Sequence, residues 1–150
     1  MESDQVYLLG LCQDVEIPLL LEMVSNYFEI LKNGNKSTAD TLSAIEDNEP
    51  STNHTLIGYR VSEDCGLSPE IRETILHHHN EATFVHQDNL SFARRVGLLT
   101  ISEYFCRLYR SENEDSIWLR VGDAIHEMFG LTDDDIADLI EETQDILSAR

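Results

Sequence analysis

The sequence predicts an all-α protein, a compact bundle of about seven helices. Apolar residues recur at helical spacing through most of the chain, and no segment alternates with period two for long enough to predict a strand. The 150 residues are 41% hydrophobic and contain only three prolines, which is ordinary globular composition. We therefore expect a single domain that covers residues 1–150.

The first two helices are predicted from dense apolar patterns. Residues 4–13 are apolar on nearly every helical face, which predicts a central buried helix. Pro18 suits the first turn of a second helix, which we expect to run to about Lys32. Its core residues are predicted from their spacing: Leu20, Val24, Tyr27, Phe28 and Leu31. Asn33-Gly34-Asn35 then breaks the chain, a weaker helix is expected over 38–45, and the acidic stretch 46–53 is predicted to be a loop.

Residues 53–80 carry the clearest helix start and end signals in the chain and hold four of its six histidines. A helix is expected from His54 to about Cys65, and Gly66 suits the left-handed residue that ends it. Ser68 and Pro69 then predict the cap and first position of another helix. One face of that helix is expected to carry Ile71, Ile75 and His78. Such a corner can bring imidazoles from both of its helices together.

Three further helices are predicted after a short connection at 81–87. The first is capped by Asp88 or Asn89, covers about 90–110, and carries one broad apolar stripe: Leu90, Ala93, Val96, Gly97, Ile101, Phe105 and Leu108. A polar loop is expected at 111–115. The next helix is marked by Trp118, Val121, Ile125, Met128 and Phe129, and Gly130 suits its end. Thr132 and Asp135 predict a capping box for the last helix, whose inner face is Ile136, Leu139, Ile140, Thr143 and Leu147.

Charge and composition exclude several classes of function. The net charge is −19, and no basic run is present that could neutralise phosphates, so we expect neither nucleic-acid binding nor attraction to anionic membranes. The acidic surface favours either a basic protein partner or simple solvation. No GxGxxG, P-loop or GxSxG pattern occurs.

The three cysteines, Cys12, Cys65 and Cys106, lie far apart without a CxxC pair, which predicts buried free thiols in a reducing compartment. The longest apolar run, residues 17–21, is too short to cross a bilayer, and the start of the chain lacks a signal-peptide pattern. A cytoplasmic protein is therefore expected.

With its helices placed, the chain resembles an HDOD domain, the signal-output branch of the HD metal-dependent phosphohydrolase superfamily. The family's Gly-Leu-Leu-His-Asp-Ile-Gly element is matched within LLGLCQDVE at 8–16. The matches that follow, in order, are His54 with Gly58, GLSPE at 66–70, TILHHHN at 74–80, FARRVGLLT at 92–100 and GLTDD at 130–134. The resemblance implies the C-terminal two-thirds of the domain, without the family's N-terminal helical portion.

The departures from the family's pattern bear on catalysis. The His of the His-Asp pair is Gln13 here, and a later metal-binding Asp of catalytic HD proteins is Thr100. An amide and a hydroxyl are poor substitutes for an imidazole and a carboxylate on a hydrolytic metal. The resemblance thus implies a degenerate site with no catalytic residue, in which Asp14, His54, His78 and His79 are the candidate ligands of a vestigial metal site.

Alternatives stay open for the histidines and for the function. His77, His78 and His79 cannot all face one site on a regular helix, so a polar corner without metal is the competing interpretation. The first functional hypothesis is a non-catalytic bacterial signalling module that acts through protein contacts, including self-association, without a cofactor. The second is a divalent-metal phosphohydrolase. The third is an acidic decoy that binds a basic protein surface.

Overall fold

The computed structural model describes residues 3–34, 46, 53–85, 89–110 and 116–149. Within those ranges the chain forms nine helices and no strand, which confirms the all-α prediction. In chain order they are α1 (Ser3–Cys12), α2 (Ile17–Met23), α3 (Tyr27–Gly34), α4 (His54–Asp64), α5 (Pro69–His77), α6 (Ala82–Val85), α7 (Leu90–Tyr109), α8 (Ser116–Phe129) and α9 (Asp133–Ser148).

Some of the expected elements fall elsewhere or differ. The weak helix at 38–45, most of the loop at 46–53, Asp88 and the loop at 111–115 lie outside the described residues. The single helix expected from Pro18 to Lys32 is two helices, because Val24 adopts an extended conformation (φ −115°, ψ 108°) after α2. The connection expected at 81–87 contains a short helix, α6, whose Phe84 is buried.

The corner between α4 and α5 forms as its helix start and end signals predict. The Asn53 side chain accepts a hydrogen bond from the backbone N–H of Leu56, which caps α4. Gly66 has φ 72°, a left-handed conformation that costs glycine nothing. Ser68 occupies the N-cap position of α5 without a capping bond from its side chain, and Pro69 follows at the first turn. These local signals therefore suffice to place both helices.

The C-terminal helices α7, α8 and α9 enclose the largest apolar core. Its buried members are Phe84, Ala93, Val96, Ile101, Phe105, Ile117, Val121, Ile125, Met128 and Ile136. The predicted capping box is present, since Thr132 and Asp135 exchange hydrogen bonds at the start of α9. Leu90 and Leu108, the outermost residues of the predicted α7 stripe, are exposed because packing covers only the middle of that helix.

The prediction that α1 is a central buried helix is wrong. Only Leu9 is fully buried there, packed with Ile71, Ile75 and Leu99 of α5 and α7. Tyr7 is 70% exposed and Leu11 63% exposed, because the described neighbours of α1 cover one of its faces. Apolar density alone does not bury a helix; a partner on each face is also needed.

Two smaller expectations about burial are corrected as well. Phe28, predicted to be in the core, is exposed, while Tyr27 and Ile30 supply the buried side of α3 beside Leu20. The three cysteines are free, as expected, but Cys65 and Cys106 are exposed and Cys12 is only partly buried.

Candidate functional site

Three imidazoles meet where α4 begins and α5 ends. His54 is the first residue of α4, and the rings of His78 and His79 lie with their centroids 5.4 and 5.1 Å from its own. One nitrogen from each ring lies within 4.8 Å of the others. His78, the residue after α5, still has helical dihedrals (φ −65°, ψ −21°), and the ring centroids of His78 and His79 lie 3.9 Å apart. His77 stays apart, against Phe92 and Glu73.

The hydrogen bonds of two of these rings determine which nitrogen carries the proton. His78 Nδ1 lies 2.6 Å from the carbonyl oxygen of Ile75, which only accepts, so Nδ1 is the protonated donor. His54 Nδ1 lies 2.5 Å from Oε2 of Glu46, which likewise favours the proton on Nδ1. Each Nε2 is therefore left with a lone pair, which is the tautomer that metal-binding histidines adopt when their other nitrogen donates to an oxygen.

Two carboxylates from the turn between α1 and α2 face these rings. Asp14, half-exposed, places Oδ1 3.9 Å from Nε2 of His78. Glu16 is completely buried, and one of its oxygens lies within 4.8 Å of ligand atoms of Asp14 and His54. A Cβ atom at Gly58 would come within 2.6 Å of Glu16 Oε2. The absence of a side chain at position 58 is thus what leaves room for the Glu16 carboxylate.

Burial shifts the protonation of this cluster toward neutral forms. Burial, with a smaller contribution from the carboxylates of Asp14 and Glu46, raises the pKa of Glu16 to about 8. Burial, together with the neighbouring His54, lowers the pKa of His78 to about 4. The pKa of His79 is lowered well below its ordinary value for the same reason. At neutral pH both imidazoles are therefore uncharged, with lone pairs available.

Glu46 forms hydrogen bonds with His54, and Tyr27 forms one with Glu46. The Tyr27 hydroxyl donates to Oε1 of Glu46 at 2.5 Å, and the backbone N–H of His54 donates to Oε2 at 2.9 Å. Both side chains are fully buried. This carboxylate is therefore anchored by hydrogen bonds from two sides while it holds the His54 ring, as the second layer of a metal site commonly does.

Several buried atoms of the cluster have no hydrogen-bond partner among the described residues. They are both oxygens of Glu16, Nε2 of His54, Nε2 of His78 and Nδ1 of His79. The two Nε2 atoms and an ionised Glu16 can only accept, and an unsatisfied buried polar atom is costly. A cation satisfies several acceptors at once, so the donor set fits a divalent transition metal, for which imidazole and carboxylate are usual ligands.

All four residues predicted as candidate metal ligands are thus brought together: Asp14, His54, His78 and His79. That they bind a metal stays a prediction. Glu16, Glu46 and Tyr27 were missed by sequence reasoning. A signal existed only for Glu16, which stands where the family's Gly-Leu-Leu-His-Asp-Ile-Gly element ends in glycine.

The two departures from the family's ligand pattern take different places in the structure. Gln13 is partly buried with Oε1 unpartnered, directly before Asp14. The buried Thr100 hydroxyl donates to the carbonyl oxygen of Val96 in its own helix, 3.1 Å away.

Comparison with known families identifies the chain. A family model described as the HDOD domain matches residues 1–81, more than half of the 150 residues. The chain belongs to the HDOD family. The matched segment includes the whole polar cluster, from Asp14 through Glu16 and His54 to His79. No curated protein and no solved structure gives a significant match.

The extent of this match corrects one expectation. The HDOD match lies in the N-terminal part of the chain and does not reach the segments at 92–100 and 130–134 that were aligned with the family. The placement of the chain on the C-terminal two-thirds of an HDOD domain is therefore not supported. Thr100, which was aligned with a metal-binding Asp of catalytic HD proteins, also lies outside the matched residues. None of the described helices is both long and apolar enough to cross a membrane.

Proposed function

We propose that this HDOD protein is a regulatory module of bacterial signalling, which acts through protein–protein contact and lacks phosphohydrolase activity. The observation that carries the proposal is the exposed apolar surface of α1 to α3, within the family-matched segment. Its large side chains are each at least 38% exposed: Val6, Tyr7, Leu11, Val15, Leu19, Leu21, Met23 and Phe28. Eight exposed large apolar side chains within 23 consecutive positions are an unusual density, and we take them as the docking surface.

The charge around this surface indicates which partner it suits. Residues 1–34 contain six acidic side chains, of which only Glu16 is buried among those described, and a single base, Lys32. A second copy of the same surface would bring like charges together, whereas a partner with apolar residues flanked by Lys or Arg would be attracted. We therefore favour a basic protein surface over self-association, and this also gives the excess of acid a role in binding.

The lack of hydrolysis is inferred from the polar cluster. HD phosphohydrolases use a metal-activated water, and a metal ion bound here would supply that chemistry by lowering the pKa of water and polarising a phosphoryl oxygen. At position 13 this chain has an amide in place of the imidazole. With the cluster largely buried, Asp14 is its one half-exposed candidate ligand.

The proposal is tested with a pair of charge substitutions on equally exposed apolar residues. A photoreactive residue at position 7 should capture one partner in cells of the source organism, and that partner is then purified. We expect Leu11→Glu to weaken its binding at least about tenfold. Ile146→Glu on α9 is the matched control, since both side chains are 63% exposed, and it should bind as the unsubstituted protein does. Equal binding by both variants would refute the assignment of this surface.

The second candidate function is a metal-dependent phosphohydrolase, with Asp14, His54, His78 and His79 holding the ion. The unpartnered acceptor atoms of the cluster favour it. The metal-loaded protein is incubated with phosphomonoesters, phosphodiesters and cyclic dinucleotides, and phosphate or nucleotide release is measured. We expect no release above that of the His78→Ala variant. Turnover that disappears in this variant would replace the regulatory proposal with the hydrolase.

A further inference from the structure

Glu16 is the one member of the polar cluster whose position the ligand pattern of the HD superfamily does not account for. The matching element of the family ends in glycine, whereas this chain places a carboxylate there. Its side chain could have pointed to solvent, since Glu16 lies in a turn directly before α2. It is instead completely buried, with both oxygens unpartnered among the described residues.

We infer that Glu16 is a metal ligand of this protein, which joins the imidazoles of His54, His78 and His79 around one divalent transition-metal ion. The carboxylate stands in for the imidazole that is absent at Gln13. Asp14, at the exposed edge, completes the set.

The geometry of the cluster fits such an ion. Glu16, Asp14 and His54 offer ligand atoms within 4.8 Å of one another, and His54, His78 and His79 do the same, so His54 is common to both groups. Metal–ligand bonds of about 2.0–2.2 Å place neighbouring tetrahedral ligands about 3.4 Å apart, so the atoms within each group must close by about 1.4 Å or less. The Glu16 carboxylate and the rings of His78 and His79, which share no group, must approach each other further.

The surroundings of Glu16 favour a ligand over an ordinary buried acid. Its neighbours in the cluster are acceptors: Nε2 of His54 and the carboxylate of Asp14. Two carboxylates and a bare imidazole nitrogen repel one another unless a cation or protons lie between them. The nearest side of α4 is Gly58, where even a methyl group would collide with Oε2. The fold thus provides a space for the carboxylate, but its only nearby donor among the described residues is its own backbone N–H.

The ion is expected to be zinc or a related transition metal. Three imidazoles with one or two carboxylates are typical ligands of Zn²⁺, Fe²⁺ or Mn²⁺, whereas Mg²⁺ and Ca²⁺ prefer oxygen ligands alone. The inference holds whether or not the protein hydrolyses phosphoesters. Metal binding without turnover would leave the regulatory proposal intact, and turnover would refute that proposal while leaving Glu16 as a ligand.

The test compares two isosteric substitutions on neighbouring glutamates. Untagged full-length protein is stripped with a chelator and titrated with Zn²⁺ and, separately, Mn²⁺, and bound metal is measured by mass spectrometry after gel filtration. We expect one ion per chain and an affinity at least about tenfold weaker in Glu16→Gln. Glu22→Gln is the control, because Glu22 is exposed on the adjacent helix α2. It should bind metal like the unsubstituted protein.

A second variant fills the space beside Gly58 that the Glu16 carboxylate occupies, and it removes no ligand. Gly58→Ala should displace the Glu16 carboxylate and lower metal affinity, and far-ultraviolet circular dichroism shows whether the variant is folded. Co²⁺ in place of Zn²⁺ gives a visible spectrum sensitive to its ligands, which should differ between Glu16→Gln and Glu22→Gln. Unchanged affinity and an unchanged Co²⁺ spectrum in Glu16→Gln would overturn the inference, as would a failure of the unsubstituted protein to bind either metal.

Discussion

The family-matched segment and the helices α7 to α9 differ in what they bury. Helices α7 to α9, with Phe84, enclose one continuous apolar core that is centred on residues such as Val96 and Ile125. The matched segment contributes to two small apolar clusters, one around Leu9 that includes Leu99 of α7 and one around Tyr27, and it also buries a group of acids and histidines. It also exposes most of its large apolar side chains on α1.

This difference indicates a division between the two regions, in which each has its own role. A buried carboxylate with no partner and an exposed apolar surface both cost stability, and such costs are typical of functional regions. Among their described residues the C-terminal helices have no unpartnered buried carboxylate, and their exposed large apolar side chains are fewer and more widely spaced: Leu90, Leu108, Tyr109, Leu119 and Ile146. Their well-packed core offsets the cost. We therefore regard α7 to α9 as the scaffold, and the matched segment as the functional part.

The largest effect is expected in the scaffold. Ile125→Ala removes a fully buried side chain from the C-terminal core and should lower the free energy of unfolding by about 3 kcal/mol. Urea denaturation checks this with the emission of Trp118, the only tryptophan, which stacks on Tyr104 beside that core. Metal bound per folded chain should not change, and a loss of metal in the folded variant would show that the two regions are not separable.

A smaller effect is expected from the charge of Glu16 in metal-free protein. Its pKa is raised to about 8, so the folded state holds a proton that the unfolded state has lost, and stability falls as pH rises toward 8. Between pH 6.5 and 8 this amounts to about 2 kcal/mol. His78 acts the other way at lower pH: its pKa of about 4 makes stability fall as pH drops from 6.5 toward 4.

Urea denaturation in chelator at pH 6.5 and pH 8 measures the contribution of Glu16. The charged groups that face this carboxyl are Asp14, Glu46 and, when protonated, His54. Glu16→Gln should lose most of the decline in stability over that interval, while Glu22→Gln should keep it. If Glu16→Gln declined as steeply as the control, the carboxyl would not be the buried acid that the structure describes.

The smallest effect is expected at the start of α9. Thr132→Ala removes the capping box, in which the Thr132 hydroxyl accepts from the backbone N–H of Asp135, and should cost about 1 kcal/mol of stability. Thermal unfolding followed by circular dichroism gives the change. Because this cap lies in the scaffold, partner binding and metal content should stay as they are, and a change in either would contradict the division.

The two regions also differ in how far the sequence predicted them. Helix ends such as Gly66, Pro69 and the Thr132 cap were predicted because each depends on a few neighbouring residues. The burial of α1 was not predictable in the same way, because an apolar helix is covered only where another element packs on it. Tyr7 and Leu11 show no sequence difference from core residues, yet they are exposed.

The candidate site was predicted in part, for a related reason. The histidines were identified because they are few and cluster at one corner, where the rings of His78 and His79 come together. Glu16 and Glu46 are two of 29 acidic residues, and nothing in their local pattern distinguishes a buried carboxylate from a solvated one. Their burial depends on contacts with residues that lie far away in sequence, namely Gly58, His54 and Tyr27.

The ligand role of Glu16 can be seen directly in a crystal structure of the zinc-loaded protein, with anomalous diffraction recorded at the zinc edge. We expect one strong anomalous peak among Nε2 of His54, Nε2 of His78, a ring nitrogen of His79 and an oxygen of Glu16, with Asp14 at its exposed side. A peak elsewhere, a Glu16 side chain turned away from the metal, or no peak at this cluster would contradict it.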